Sequence, residues 1–205
     1  MPETKVLKID PDSPDENVVR YAAGLLCDGA LVAFPTETVY GIGANFLNEE
    51  AIKKLYRIKE RPLDKPFTIH ISSIDMVKKM QCEIPDFTKA LMKKFWPGPL
   101  TVILKSKDRK LGFRMPKNSV AKALITESGV PVVAPSANFS GKKPPTEAKE
   151  IPEDLGGELD LILDGGKTEL GRESTVVDTT VFPYKILRKG AIPESEIAQV
   201  SHESP

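Results

Sequence analysis

The run FPTETVYGIGANFLNEEAIKKLYRIKERPLDKPFTIH, residues Phe34–His70, packs a strand end, a Thr/Gly-rich turn, a basic helix end and a second strand into one stretch. Just before it, Ala30–Phe34 is an apolar run stopped by Pro35, which suits a buried strand because proline cannot donate to the ladder beyond it. The residues that follow should therefore sit at a strand's C-terminal end. There Thr36, Glu37, Thr38 and Tyr40 precede Gly41 and Gly43, so hydroxyls stand beside backbone able to approach a ligand closely. Asn48 reads as an N-cap, with Glu49 and Glu50 in the first turn where the helix dipole favours acids. Ala51, Ile52, Leu55 and Ile58 recur at helical spacing, and Pro62 should end the helix near Lys59 or Glu60. Arg57, Lys59, Arg61 and Lys65 are thus delivered to one helix exit. A cation there also offsets the helix dipole, so none of the four is diagnostic alone.

Outward from this stretch the chain alternates strands and helices. Val6–Ile9 reads as a strand, Pro14–Cys27 as a helix, Phe67–Ile71 as a strand carrying His70, and Ile74–Met80 and Phe87–Phe95 as helices. After a turn at Trp96-Pro97-Gly98-Pro99 come a strand over Leu100–Leu104, a strand-like run Leu111–Met115 holding Arg114, and a helix over Val120–Thr126 closed near Gly129. Val130–Ala134 is a strand with Ser136 and Asn138 at its exit, the usual place for ligand groups in open α/β sheets, although Ser and Asn are equally ordinary turn residues. Thr146 reads as an N-cap, Leu159–Leu163, Thr175–Asp178 and Ile186–Arg188 as strands. Arg114, on composition alone, reads as a surface residue before an anion clamp. The chain should be one domain over residues 1–194, with a short solvated tail over 195–205.

Composition narrows the classes. Of 205 residues, 40% are hydrophobic, and 29 acidic side chains balance 29 basic ones, so no global field draws nucleic acid to the whole surface. Two cysteines, Cys27 and Cys82, form no CxxC pair or disulfide framework, which fits a reducing setting, and no apolar run reaches membrane-spanning length. A soluble cytoplasmic protein is the expectation. With two histidines, His70 and His202, a dedicated zinc site is not expected. Gly166-Lys167-Thr168 resembles a Walker A ending, but the required earlier glycine would fall on Leu161; the third glycine of a dinucleotide fingerprint would fall on Phe46. No G-x-S-x-G occurs. Any ATP must be held by a different kind of site.

The string PTETVYGIG followed by Lys59-x-Arg61-Pro62 closely resembles the YrdC family of threonylcarbamoyl-AMP synthases. The resemblance continues through Pro97-Gly98-Pro99-Leu100-Thr101, through APSANFSG at 134–141, through Gly171-Arg172-Glu173-Ser174-Thr175-Val176 and through Leu187-Arg188-Lys189-Gly190. It departs at Lys117-Asn118, where the family often has His-Pro, so that histidine's role has no counterpart here. Some members carry a further C-terminal domain; the expectation for this chain is the single-domain form.

The resemblance implies a YrdC-like α/β fold: a twisted mixed sheet with flanking helices around a basic concave cavity. It implies condensation of L-threonine, bicarbonate and ATP to threonylcarbamoyl-AMP, pyrophosphate and water, a nucleotidyltransferase reaction that feeds threonylcarbamoyladenosine formation in tRNA. Lys59 and Arg61 would be catalytic. Those two with Lys65, Ser136, Asn138 and Arg188 would bind ATP, and Thr36, Thr38, His70, Arg114 and Ser174 would bind threonine. Mg²⁺ would come with the ATP phosphates rather than on protein ligands, and tRNA or a downstream threonylcarbamoyl transferase would be a further partner, with no membrane. Two rivals stand beside this reading: an RNA-binding, translation-associated module using the same cavity, and a carbamoyl or adenylyl transferase acting on another substrate. Few aromatics and zero net charge weigh against the first.

Overall fold

The computed structural model describes residues 4–107 and 109–203. Eleven strands form one mixed sheet: β1 (Lys5–Lys8), β2 (Val32–Pro35), β3 (Tyr40–Asn45), β4 (Thr68–His70), β5 (Cys82–Glu83), β6 (Leu100–Ser106), β7 (Arg109–Arg114), β8 (Val132–Val133), β9 (Leu161–Asp164), β10 (Thr175–Asp178) and β11 (Lys185–Arg188). Their spatial order is β1-β9-β2-β3-β8-β4-β7-β6-β10-β11, with β5 against the far end of β6. The helices are α1 (Glu16–Cys27), α2 (Glu49–Ile58), α3 (Ile74–Lys79), α4 (Asp86–Phe95), α5 (Ser119–Ser128), α6 (Glu153–Gly156) and α7 (Glu194–Glu203).

Alternation along the central strands builds two cores. Val32 and Phe34 of β2, Val132 of β8, and Leu161 and Leu163 of β9 pack with Val19, Ala22 and Leu26 of α1 and Val120 and Leu124 of α5. Ala33, Val133 and Ile162, one residue out of phase on the same strands, belong to the larger core that also holds Leu55, Ile69, Leu91, Phe113 and Ile197. Successive side chains point to opposite faces, so a stretch buried on both sides is apolar throughout, as Val32–Phe34 and Leu161–Leu163 are. A fully buried side chain such as Leu26 or Phe34 contributes about 1.5–3 kcal/mol.

Local signals place most helix ends. Asp15 caps α1 and Asn48 caps α2, each side chain accepting from two backbone N–H groups, and Lys59 is the C-cap of α2. Gly129 closes α5 at φ 64°, where a Cβ would be strained.

Three expectations are corrected, and one strand is added. The Thr/Gly-rich turn is short: its second half is strand β3, hairpinned onto β2 with Phe34 opposite Gly41 and Val32 opposite Gly43. A Cβ on Gly43 would stand 2.7 Å from Phe34 Cε1, so glycine here serves close packing inside the sheet. Strand β5 has no strand signal in the sequence, being two residues long. Thr146 is not a helix cap; Glu147 precedes a 3-10 turn over Ala148–Glu150, and Glu150 accepts from Thr146. Residues 194–203, where a solvated tail is expected from 195 on, form α7, because Ile197 and Val200 are buried; α7 packs beside α4, and residues 204 and 205 lie outside the described region. No helix among the described residues is long and apolar enough to cross a membrane.

Candidate active site

Strand pairing brings distant motifs into one row. β4 and β7 run parallel with His70 opposite Arg114, so both stand at their strands' C-terminal ends. β6 is antiparallel to β7, with Val102 opposite Phe113, which puts Thr101 beside Arg114. β10 runs parallel to β6, so Ser174, just before β10, falls beside the start of β6, and Ser174 Oγ lies 2.8 Å from Thr101 Oγ1. β11 returns antiparallel and ends with Arg188 opposite Val176. His70, Arg114, Thr101, Ser174 and Arg188 thus adjoin across four neighbouring strand ends and the last strand.

A cavity of about 110 Å³ opens on this row. Thr36, Thr38, Arg61, His70, Arg114, Ser136, Ser174 and Arg188, all expected site residues, line it, together with Glu173 and Tyr40. Its enclosed part is far below the roughly 300–1,000 Å³ of sites that bury drug-sized ligands, so it accepts an amino-acid-sized group and leaves anything larger along its rim.

Beyond β2 the chain turns on Thr36, whose hydroxyl donates to Val39 O (2.7 Å). With that proton committed, the 2.7 Å contact between the two threonine hydroxyls is donated by Thr38. Between them Glu37 points the other way and is buried. Its Oε1 lies 2.8 Å from Arg114 Nη2, an ion pair off the alignment of a hydrogen bond, and its Oε2 accepts from Lys117 N at 3.2 Å. Arg114 Nε donates to Gly98 O (3.3 Å). Arg188 is also paired: Nη1 meets Glu173 Oε1 at 2.6 Å, Nη2 donates to Ser174 Oγ at 2.9 Å and Nε to Ser174 O at 3.0 Å. Two of the three cavity arginines therefore carry carboxylate partners already.

His70 is buried, and its Nδ1 has no partner among the described residues. Burial first, then the positive charge of Arg114, pushes its pKa down to about 3, so the ring stays neutral at physiological pH and offers a free nitrogen as a hydrogen-bond acceptor rather than as a base.

Lys59, Lys65 and Asn138, also expected at the site, do not line this cavity. Lys59, buried at 3% exposure, donates from Nζ to Ser136 O and to Asn138 O. Burial and the nearby Arg61 guanidinium lower its pKa to about 8. It fastens the Ser136–Asn138 loop, which β3 also grips through Ala137 N to Tyr40 O (2.8 Å) and Ile42 N to Pro135 O (2.8 Å). Asn138 turns Nδ2 to Phe139 O, and its buried Oδ1 has no hydrogen-bond partner among the described residues. Arg61 braces its own loop, Nε donating to Lys65 O at 2.8 Å, while the Lys65 side chain is exposed. Tyr40 donates to Gly166 O (2.7 Å) and accepts from Gly165 N (3.2 Å), with burial raising its pKa.

Glu37, Glu173 and Thr101 are site-forming residues to which sequence reading gives no role. Glu37 lies in the turn between β2 and β3, where strand alternation gives no signal for it.

Comparison with known proteins agrees with this architecture. The Sua5/YciO/YrdC family model, described as "Telomere recombination", matches residues 24–190. A protein of Pyrococcus abyssi named threonylcarbamoyl-AMP synthase is 45% identical over 92% of this chain and 58% of its own length, and one of Bacillus subtilis with the same name is 44% identical over 93% and 58%. The crystal structure of P. abyssi Sua5 complexed with L-threonine superposes with a TM-score of 0.93 at 43% identity, covering 98% of this chain and 62% of that one. The chain thus spans about 58% of the length of these two curated relatives.

Proposed function

The chain belongs to the Sua5/YciO/YrdC family, and on that premise we propose that it makes threonylcarbamoyl-AMP from L-threonine, bicarbonate and ATP. The observation that carries this reading is the cavity walled by Arg114, Ser174 and Arg188 on adjoining strands, small enough for an amino acid and open at its rim to a nucleotide. Its support from outside the chain is a fold-mate at 43% identity whose structure holds L-threonine.

The threonine nitrogen bonds to the bicarbonate carbon and water leaves, giving a carbamate. A carbamate oxygen then bonds to the α-phosphorus of ATP as the bond to the bridging oxygen breaks and pyrophosphate departs. Both steps gather anions, so positioned cations and donors matter more than a covalent nucleophile. In this proposal Arg114 receives the threonine carboxylate, Thr36, Thr38 and Ser174 fix the rest of the amino acid, and neutral His70 offers an acceptor. Arg61, Ser136 and Arg188 meet the nucleotide at the rim. Lys59 contributes by holding the carbonyls of Ser136 and Asn138, so that the loop's N–H and side-chain groups face the nucleotide; Lys65 meets the outer phosphates by swinging from solvent. Mg²⁺ enters as the counter-ion of those phosphates. The product's consumer is a threonylcarbamoyl transfer to tRNA in the cytoplasm.

Pyrophosphate release from ATP and Mg²⁺, with threonine and bicarbonate each omitted in turn, tests this. Release that needs both supports the synthase. Release without threonine would mean an adenylating enzyme with another substrate, and no release with salt-sensitive RNA binding would favour the binding module.

A further inference from the structure

Beside the Trp96–Pro99 turn, residues of α3 and α4 line a second groove of about 480 Å³. Its floor is Ile74, Ile84, Met92, Trp96 and Met115. Two polar groups of that floor are already satisfied: Trp96 Nε1 donates to Leu100 O (2.8 Å), and Met115 O accepts from Gly98 N (2.8 Å). Five apolar side chains offer little to orient a small polar ligand, which normally needs a few placed donors and acceptors. A long sulfur-containing side chain on either side of an indole suits instead the variable apolar anchors of a peptide.

The remaining lining residues are Lys78, Lys89 and Lys93, with no acidic side chain among them. Lys78 reaches Asp75 at 3.0 Å and Lys89 reaches Asp86 at 2.7 Å, both exposed pairs three residues apart on their own helices. Such exposed pairs contribute little, so exchanging them for a partner's carboxylates costs little. Lys93 has no ion-pair partner among the described residues. An apolar floor under a lysine rim is the complement of an amphipathic helix with an apolar stripe between rows of acids.

We propose that this groove is a docking site for an acidic amphipathic helix of a partner protein. An apolar floor disfavours RNA, whose phosphates need a polar bed. Because Gly98 is held by Met115 on one side and by Arg114 Nε on the other, the docked helix lies against the turn that braces the cavity arginine.

Trp96 is the chain's single tryptophan, so its emission reports groove occupancy without a label. The full chain is titrated with a synthetic helix of about four turns, leucines at i, i+4 and i+7 and glutamates on both flanks. The proposal expects a saturable shift in Trp96 emission, weakened at least about tenfold by Lys89→Glu with Lys93→Glu, changes that lie outside the cavity. Four results would each overturn it: no shift at millimolar peptide; equal binding of the peptide with lysines in place of glutamates; the same shift with polyuridylate; or a shift on raising protein concentration alone with a dimer in sedimentation, which would assign the groove to a second copy of this chain.

Discussion

Replacing Gly190 by alanine should damage both the fold and the cavity, although Gly190 touches no ligand in this account. An added Cβ would stand 2.2 Å from Ser174 C, 2.3 Å from Thr175 N and 2.4 Å from Glu173 O, all backbone atoms that cannot rotate aside. Residues 190–192 must lift away, which strains four hydrogen bonds: Gly190 N and Ile192 N to Thr175 Oγ1, Thr175 Oγ1 to Ile192 O, and Ala191 N to Glu173 O. At about 1 kcal/mol net for each bond, and with partial relaxation, the loss is about 2–4 kcal/mol. For a chain of this size that lowers Tm by about 4–16 °C in a calorimetric scan. Because the displaced segment carries Ser174 and its partner Arg188, L-threonine affinity should fall more than about tenfold in the same variant, a loss of about 1.4 kcal/mol or more. Gly24→Ala is the control: that glycine lies in α1 with nothing within 4 Å of the added Cβ, and alanine should stabilise by about 0.5–1 kcal/mol. A Gly190→Ala protein melting within about 2 °C of the parent would refute the close-approach argument.

Three further outcomes follow from the buried charges. Glu37→Ala leaves the Arg114 guanidinium buried without its carboxylate and should cost about 3–5 kcal/mol in urea unfolding, whereas Glu37→Gln, able still to accept from Lys117 N, should cost less; equal stabilities would contradict the pairing. His70, held at about 3 against an ordinary 6.5, binds fewer protons folded than unfolded in that window. It therefore withdraws stability as pH falls below about 6.5, and its imidazole NMR shifts should stay flat from about pH 8 to pH 5; a midpoint near 6 would contradict its burial. Lys59, lowered to about 8 from 10.5, also binds fewer protons folded than unfolded between those values. The wild type should therefore gain up to about 1.4 kcal/mol per pH unit over Lys59→Met as pH rises above about 8, read by urea midpoints, and a constant difference would contradict the burial of its charge.

Elements carried by local signals were legible in the sequence. The cap at Asn48, the stop before Pro62 and the apolar run into Pro35 each involve residues a few positions apart, and α2 and β2 lie where those signals put them. β3 was hidden because its glycines read locally as a turn, although Gly43 is required by the proximity of Phe34 and Val132. α7 was hidden because Ile197 and Val200 alone make too narrow a stripe in a polar segment, and the helix is supported by packing rather than pattern. The cavity divides in the same way. Motif residues such as Thr36, Arg61 and Ser174 were visible as motifs, but their meeting depends on the pairing order β4-β7-β6-β10-β11, which gathers residues as far apart in sequence as His70 and Arg188. Lys59 illustrates the remaining limit: the K-x-R spacing marks two cations, and only the fold shows that Arg61 faces the cavity while Lys59 is tied to the carbonyls of Ser136 and Asn138.

Calorimetric titration of L-threonine into the full chain, repeated on Ser174→Ala and Thr38→Val, tests the central claim most directly. Both variants remove one cavity hydroxyl and keep the side chain's shape closely. The account predicts one saturable site in the parent, weakened by at least about tenfold in each variant. Absence of threonine binding in the parent, or binding indifferent to both hydroxyls, would contradict the assignment of this cavity to the amino acid.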